Sequence, residues 1–294
     1  MPLYVHEGIP AVAKINGIKT VSDKPSPVSS HLRIGLVNLM PLKEMTEEDF
    51  FRLLSETEID ADIDLIQMES HESRNTSHEH LQRHYNYFRN VKHLDYDGII
   101  ITGAPVEKID FEAVDYWHEL TELMDWTRLH KIPTLYICWA AFAGLYHHYR
   151  IAKHILNTKI SGVFPHDIHF PEKPLFKGLD SDFFIPHSRY ATFHREDIMN
   201  HPLLSIESES SDSGVYIVEA SGGLEFYITG HSEYALETLD FEYHRDMAKG
   251  MNPKIPENYY PDNNPSNRPL DLWSKGARRL FSNWLLHYAN KRKN

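Results

Sequence analysis

A doubly wound, mostly parallel α/β sheet is the architecture that this 294-residue sequence predicts. Short apolar runs of strand length recur along the chain with helix-period segments between them, and several of them stop at a proline or glycine turn. A proline- and serine-rich stretch at the start predicts an N-terminal arm over residues 1–30, and an irregular stretch late in the chain predicts a C-terminal extension. Residues 31–294 are expected to form a single α/β domain, since that length suffices for a full core.

The first strong strand signal is Ile34 to Leu39, closed by Met40-Pro41. Thr46-Glu47-Glu48-Asp49 has capping-box form, and Phe50, Leu53 and Leu54 follow on one helical face. A second strand is expected at Ile63 to Met68, then a histidine-rich helix or loop to about Val91. Gly98 to Thr102 reads as a third strand, ending in the Gly103-Ala104-Pro105 turn. Asp110 is placed to cap a helix in which Phe111, Val114, Trp117 and Leu120 recur at near-helical spacing. Thr134 to Cys138 is the fourth strand, and it runs into the small-residue stretch Trp139 to Gly144. From Gly162 to about Ser221 the pattern is shorter and mixed, which predicts added strands and loops before a strand at Phe226 to Ile228. Pro253 to Pro269 has no period, and an amphipathic helix is expected from Trp273 to Tyr288.

Composition narrows the function. A net charge of −12 opposes nucleic-acid binding as the main role, because phosphate recognition needs a concentrated basic surface. No apolar run is long enough to span a bilayer, and the first residues lack the apolar core of a signal peptide. One cysteine excludes an intramolecular disulfide framework. A cytoplasmic protein with no membrane or nucleic-acid partner is the expectation.

That cysteine, Cys138, stands where a strand turns into a helix. The turn exposes the side chain, and a helix start favours negative charge on it. Gly230-His231-Ser232-Glu233 follows the strand at Phe226 to Ile228, so a base and an orienting carboxylate are also offered at a strand end. In open parallel sheets functional groups gather at the carboxyl ends of strands. Cys138, His231 and Glu233 therefore suggest an acyl-transfer site. Inert packing of a lone cysteine and a solvated loop histidine are the bland alternatives.

Several segments carry a family resemblance: NLMP (38–41), ESRNTSHEHL (72–81), DGIIITGAPVE (97–107), VDYW (114–117), ICWA (137–140), PHSRY (186–190), TGHSEY (229–234), EYHRD (242–246) and NWL (283–285). With these in order, the chain resembles the homoserine O-acyltransferases of bacterial methionine biosynthesis, of the type related to class I glutamine amidotransferases. The resemblance implies a flavodoxin-like sheet of the class I glutamine amidotransferase kind. It implies Cys138 as acyl-thioester nucleophile, His231 as proton acceptor and Glu233 as its partner. Arg245 matches the position that holds the amino-acid carboxylate, while Lys159 and Ser188 match substrate-binding positions. Lys43 lies in a family motif near the site, and the backbone N–H of Trp139 is an expected oxyanion donor with one from the Gly103-Ala104-Pro105 turn.

The position of Glu107 correlates in that family with acyl donor, a small residue with succinyl-CoA and Glu with acetyl-CoA. A carboxylate there would repel the free carboxylate of a succinyl group. The implied activity is acetyl transfer from acetyl-CoA to L-homoserine, with both substrates small molecules and no bound cofactor. Because members of the family often dimerise, a homodimer stays open. The chain departs from the family at Phe142, where glutamine is usual, at Tyr149-Arg150, where Tyr-Gly is usual, and at Trp273-Ser274-Lys275-Gly276. Those departures leave serine open as acceptor, and succinyl transfer remains the alternative to the donor that Glu107 implies. A glutamine amidohydrolase would use the same three residues, but Ile137 and Trp139 replace the glycines that usually flank its cysteine. The pairs His80/His84 and His166/His169 raise a metal hydrolase, yet HEHLQRH lacks the HExxH register and no metal is expected. A non-catalytic binding protein is the remaining class.

Overall fold

The computed structural model describes residues 3–21, 31–181 and 183–293. Twelve strands among these form one sheet, built in chain order as follows. The segment expected as an arm supplies two parallel strands, β1 (Leu3–His6) and β2 (Ile18–Val21), and β1 pairs with the start of a later strand. In its described residues it is therefore an edge of the sheet; Leu3 and Val5 are buried, which the proline-rich composition around them conceals. Residues 22–30 of that segment lie outside the described residues.

Next come β3 (Leu32–Val37), α1 (Lys43–Ser55), β4 (Ala61–Gln67), α2 (His78–His84), β5 (Tyr85–Tyr87), α3 (Phe88–Val91) and β6 (Gly98–Ile101). They are followed by α4 (Trp117–Leu129), β7 (Thr134–Ile137) and α5 (Trp139–Tyr149). The second half holds β8 (His154–Ile168), β9 (Phe183–Thr192), α6 (Arg195–Met199), β10 (Leu204–Ser210), β11 (Gly214–Ala220), β12 (Glu225–Ile228), α7 (Thr238–Ala248) and α8 (Ser274–Trp284). The strand order is β2-β1-β4-β3-β6-β7-β12-β11-β10-β8-β9, with β5 also on β4. From β2 to β12 the pairing is parallel, and from β12 to β9 it is antiparallel.

Apolar residues alternate between two cores because the central strands are covered on both faces. Leu135 and Ile137 of β7 and Phe226 and Ile228 of β12 pack with α1 and α8 residues such as Phe50 and Phe281. Tyr136 and Tyr227 point the other way, into the core that holds Leu120 of α4 and Ala141 of α5. Gly144 makes that second contact feasible, since a Cβ there would stand 2.6 Å from a Tyr227 ring carbon.

Three local expectations change. α1 starts at Lys43, so Thr46 lies inside the helix; its hydroxyl donates to the Leu42 carbonyl at 3.3 Å and caps nothing. Asp110 leads only a short 3-10 turn, Phe111–Ala113, and α4 begins at Trp117, because Val114 is extended and breaks the helical run. The last helix gives way after Trp284 to a π turn, Leu285–Ala289. The mixed region from Gly162 to Ser221 is an antiparallel extension whose longest strand, β8, has 15 residues. Among the described residues no helix is long and apolar enough to cross a membrane.

Candidate active site

The chain leaves β3 toward β4 on one side and returns to β6 on the other, so a crevice opens between the carboxyl ends of β3 and β6. A cleft of about 570 Å³ lies there, lined by Met40-Pro41-Leu42, the Gly103-Ala104-Pro105 turn, Cys138, His231, Glu233 and the inner face of α7.

Cys138 is the first residue after β7 and the N-cap of α5, with φ 51° and ψ −114°. A non-glycine residue is held there only when its surroundings insist. Two contacts do so: its amide donates to the Ile228 carbonyl at 2.7 Å, and its Cβ closes on Gly103, where an added Cβ would lie 3.1 Å away. The turn aims the thiol into the cleft, while the first N–H groups of α5 have no acceptor within the helix. The Trp139 indole points away, packed against Phe111 and Tyr116, so only its backbone amide is near the thiol.

His231 follows β12 and is 4 % exposed. Its amide donates to the Pro186 carbonyl at 2.8 Å, and its ring stacks on Tyr234 at 4.2 Å. Nδ1 lies 2.7 Å from Glu233 Oε1, which leaves Nε2 for the cysteine side. Burial opposes protonation of this ring, yet the negative charges of Cys138 and Glu233 outweigh it and push the His231 pKa well up. α1 braces the loop, with the Arg52 guanidinium donating to the carbonyls of Glu233 (2.8 Å) and Tyr234 (3.0 Å).

The opposite wall is a charge cluster. Glu242 on α7 accepts from Lys159 Nζ at 3.2 Å, from the Ser188 hydroxyl and from the Tyr234 hydroxyl at 3.1 Å. Burial alone would raise its pKa, but Lys159 and Ser188 hold it below the usual carboxylate value. Arg245 is one-third exposed and leans on Asp246 at 2.8 Å, which keeps its guanidinium at the cleft surface. Glu107 also lines the cleft; its carboxylate accepts from the Tyr190 amide at 3.3 Å, and burial raises its pKa.

The structure thus brings Cys138, His231, Glu233, Lys159, Ser188, Arg245 and Glu107 to one cleft. Lys43 is not on its wall. Its ammonium donates to the Asn38 carbonyl and lies 5.5 Å from the Tyr85 ring centre, Lys43 lines a separate small gap, and burial lowers its pKa to about 8. Glu242, Asp246 and Asp49 were missed by sequence reasoning. The first two stand at i and i+4 in EYHRD, a spacing that puts both on one helical face beside Arg245.

The departures sit off the cleft wall. Phe142 packs on Phe193 at 5.7 Å, and Lys275 pairs with Asp180 at the surface. Trp273 donates its indole N–H to the Tyr234 carbonyl at 3.0 Å, so it supports the His231 loop from behind. The paired histidines turn to other partners: His80 binds Glu47 at 2.8 Å, while His166 faces His187 and His169 faces Glu209. Among the described residues one trio has metal-compatible spacing, Asp125, His147 and His148, and none of it lines the cleft.

A family model described as homoserine O-succinyltransferase matches residues 2–294. A homoserine O-acetyltransferase from Bacteroides fragilis is 48 % identical over 98 % of this chain and 96 % of its own length. Proteins of the same name from Bacteroides thetaiotaomicron (47 %, 98 % and 96 %) and Brevibacillus brevis (49 %, 88 % and 84 %) are similarly close. Solved glutamine amidotransferases share the fold: one from Thermotoga maritima covers 89 % of this chain and 97 % of its own at TM-score 0.56 and 14 % identity. Another from Methylobacillus flagellatus covers 87 % and 94 % at 0.55 and 12 %. The chain belongs to the homoserine O-succinyltransferase family.

Proposed function

From that membership we propose that this protein is a homoserine O-acetyltransferase, working from acetyl-CoA through an acyl-thioester on Cys138 in methionine biosynthesis in the cytoplasm. The observation that carries the reading is a strained cysteine at a helix start facing a histidine bound to a carboxylate, in a cleft that also holds Glu107 and Arg245. In the first half-reaction the Cys138 thiolate attacks the acetyl carbonyl. The oxyanion that forms is met by the Trp139 amide and one from the Gly103-Ala104-Pro105 turn. Collapse breaks the bond to the CoA sulfur, which leaves with the proton held on His231.

Acetylation also removes the negative charge at Cys138 that helps keep His231 protonated. The imidazole is then neutral and able to take a proton. In the second half-reaction the homoserine hydroxyl attacks the acyl-enzyme as His231 Nε2 accepts its proton, and collapse returns the thiolate. Glu233 fixes the tautomer through Nδ1 and stabilises the imidazolium. Arg245 suits the acceptor carboxylate because a guanidinium can bind both oxygens, and Glu242, set by Lys159 and Ser188, suits the acceptor ammonium.

Glu107 favours acetyl over succinyl, because its carboxylate occupies space and carries charge where a succinyl tail would lie. The test is an acyl-transfer assay crossing acetyl-CoA and succinyl-CoA with homoserine and serine. O-Acetylhomoserine is expected as the main product; a preference for succinyl-CoA or for serine would overturn the corresponding half of the assignment. Hydrolysis of glutamine without acyl transfer would overturn it altogether.

A further inference from the structure

The cleft over Cys138 changes character from floor to mouth. On the floor every cation is matched, Lys159 by Glu242 and Asp246 and Arg245 by Asp246. Two more lysines line the cleft, Lys108 and Lys249, and both are exposed. Among the described residues neither lies within ion-pair distance of a carboxylate. Lys108 rests its ammonium 4.4 Å from the Tyr190 ring centre, and Lys249 ends α7, where the helix carbonyls favour a cation. Both contacts leave the ammonium open to an anion. In a chain with 42 acidic and 30 basic residues, two unmatched cations on one cleft stand out from the prevailing field.

Three large apolar side chains line the same cleft while open to solvent: Ile109 (43 %), Phe241 (44 %) and Met251 (51 %). Scattered singly, such residues call for no explanation. Grouped on the wall of one cleft, they mark a binding surface.

We propose that this rim is the seat of the coenzyme arm of the acyl donor, with Ile109, Phe241 and Met251 covering the pantetheine chain and Lys108 and Lys249 holding its phosphates. The inference rests on the acyl-CoA reading above. It follows from the layout of such a donor, whose reacting carbonyl is separated by a long, weakly polar arm from several phosphate charges. The paired floor takes the zwitterionic acceptor, and the unpaired rim takes the polyanion. Lysine serves here as a point charge, which suits phosphates that remain partly hydrated.

The experiment compares three donors: acetyl-CoA, acetyl-pantetheine, which lacks the phosphates, and S-acetyl-N-acetylcysteamine, which lacks most of the arm. In the Lys108→Ala/Lys249→Ala variant the kcat/KM ratio of acetyl-CoA to acetyl-pantetheine should fall by about tenfold, the loss expected for two part-exposed charge contacts. The salt dependence seen with acetyl-CoA should flatten with it. In Phe241→Ala/Met251→Ala the ratio of acetyl-pantetheine to the short thioester should fall instead. Unchanged ratios in both variants, with acetyl-CoA still acylating Cys138, would overturn the rim and leave the acyl-transfer reading standing. Absence of Cys138 acetylation by all three donors would overturn that reading, and the rim with it.

Discussion

The Cys138 amide donates to the Ile228 carbonyl at 2.7 Å, tying the turn after β7 to the last residue of β12. Parallel pairing places Ile137 opposite Ile228, so Cys138 and the Thr229-Gly230-His231 segment leave the sheet side by side. Separation by 93 positions in sequence becomes adjacency because two strands are in register.

Incubation with acetyl-CoA and no acceptor should add one acetyl mass to Cys138, read by peptide mass spectrometry. Cys138→Ala should lose both label and turnover, with a fall in kcat of about 10⁴-fold or more. Turnover that survives in Cys138→Ala would rule out the covalent route.

Replacing Glu107 with Gly should open the cleft to succinyl-CoA. Removing a like-charge repulsion of about 3 kcal/mol would move the succinyl-to-acetyl ratio of kcat/KM by roughly a hundredfold. An unchanged ratio would show that the Gly103-to-Glu107 turn does not read the acyl group.

Arg245→Lys keeps the charge and loses the two-point geometry. The acceptor half-reaction should weaken, with a KM for homoserine about tenfold higher, while acetylation of Cys138 proceeds at its normal rate. Equal damage to both half-reactions would place Arg245 elsewhere in the mechanism.

Asp49, buried behind the His231 loop, accepts from the Ala235 amide and the Thr238 hydroxyl, and burial raises its pKa from 3.8 to about 7. Between those values the folded protein holds a proton that the unfolded chain has released. Stability should therefore decline as pH rises from about 4 to 7 and level off above, by an amount on the order of a few kcal/mol. Urea unfolding at pH 5 and pH 7.5 measures this, and Asp49→Asn should flatten the difference. A midpoint that rises with pH in the native protein, or an unaltered slope in the variant, would exclude the assignment.

Arg150 ends α5 in the left-handed region, φ 61° and ψ 25°, a conformation that favours glycine. Its side chain is exposed and only lies over Tyr146 at 5.8 Å. Arg150→Gly should raise stability by about 1 kcal/mol, seen as a higher Tm. A lower Tm would mean that the Tyr146 contact outweighs the backbone strain.

The sequence by itself determined the central parallel strands β3, β4, β6, β7 and β12. Its central strands are short, apolar and bounded by turns, and burial on both faces leaves no other periodicity open to them. It also pointed to Cys138, His231 and Glu233, since each follows an apolar run, and the family resemblance added Lys159, Ser188, Arg245 and Glu107. Only the tertiary structure decided the rest. The edge strands β1 and β2 are four residues each, too short to announce themselves, and only the pairing of β1 with β4 and of β2 with β1 makes them strands. Added strands were expected between Gly162 and Ser221, but their antiparallel pairing was not, because polar residues on β8 alternate with apolar ones in a broken pattern and β9 pairs with it from a distance. Lys43 shares a motif with the site, yet its buried ammonium turns to the Asn38 carbonyl, a contact that no local pattern announces. The Glu242 cluster could not be read locally, because its partners Lys159, Ser188 and Tyr234 come from three separate segments and only burial makes their charges answer one another.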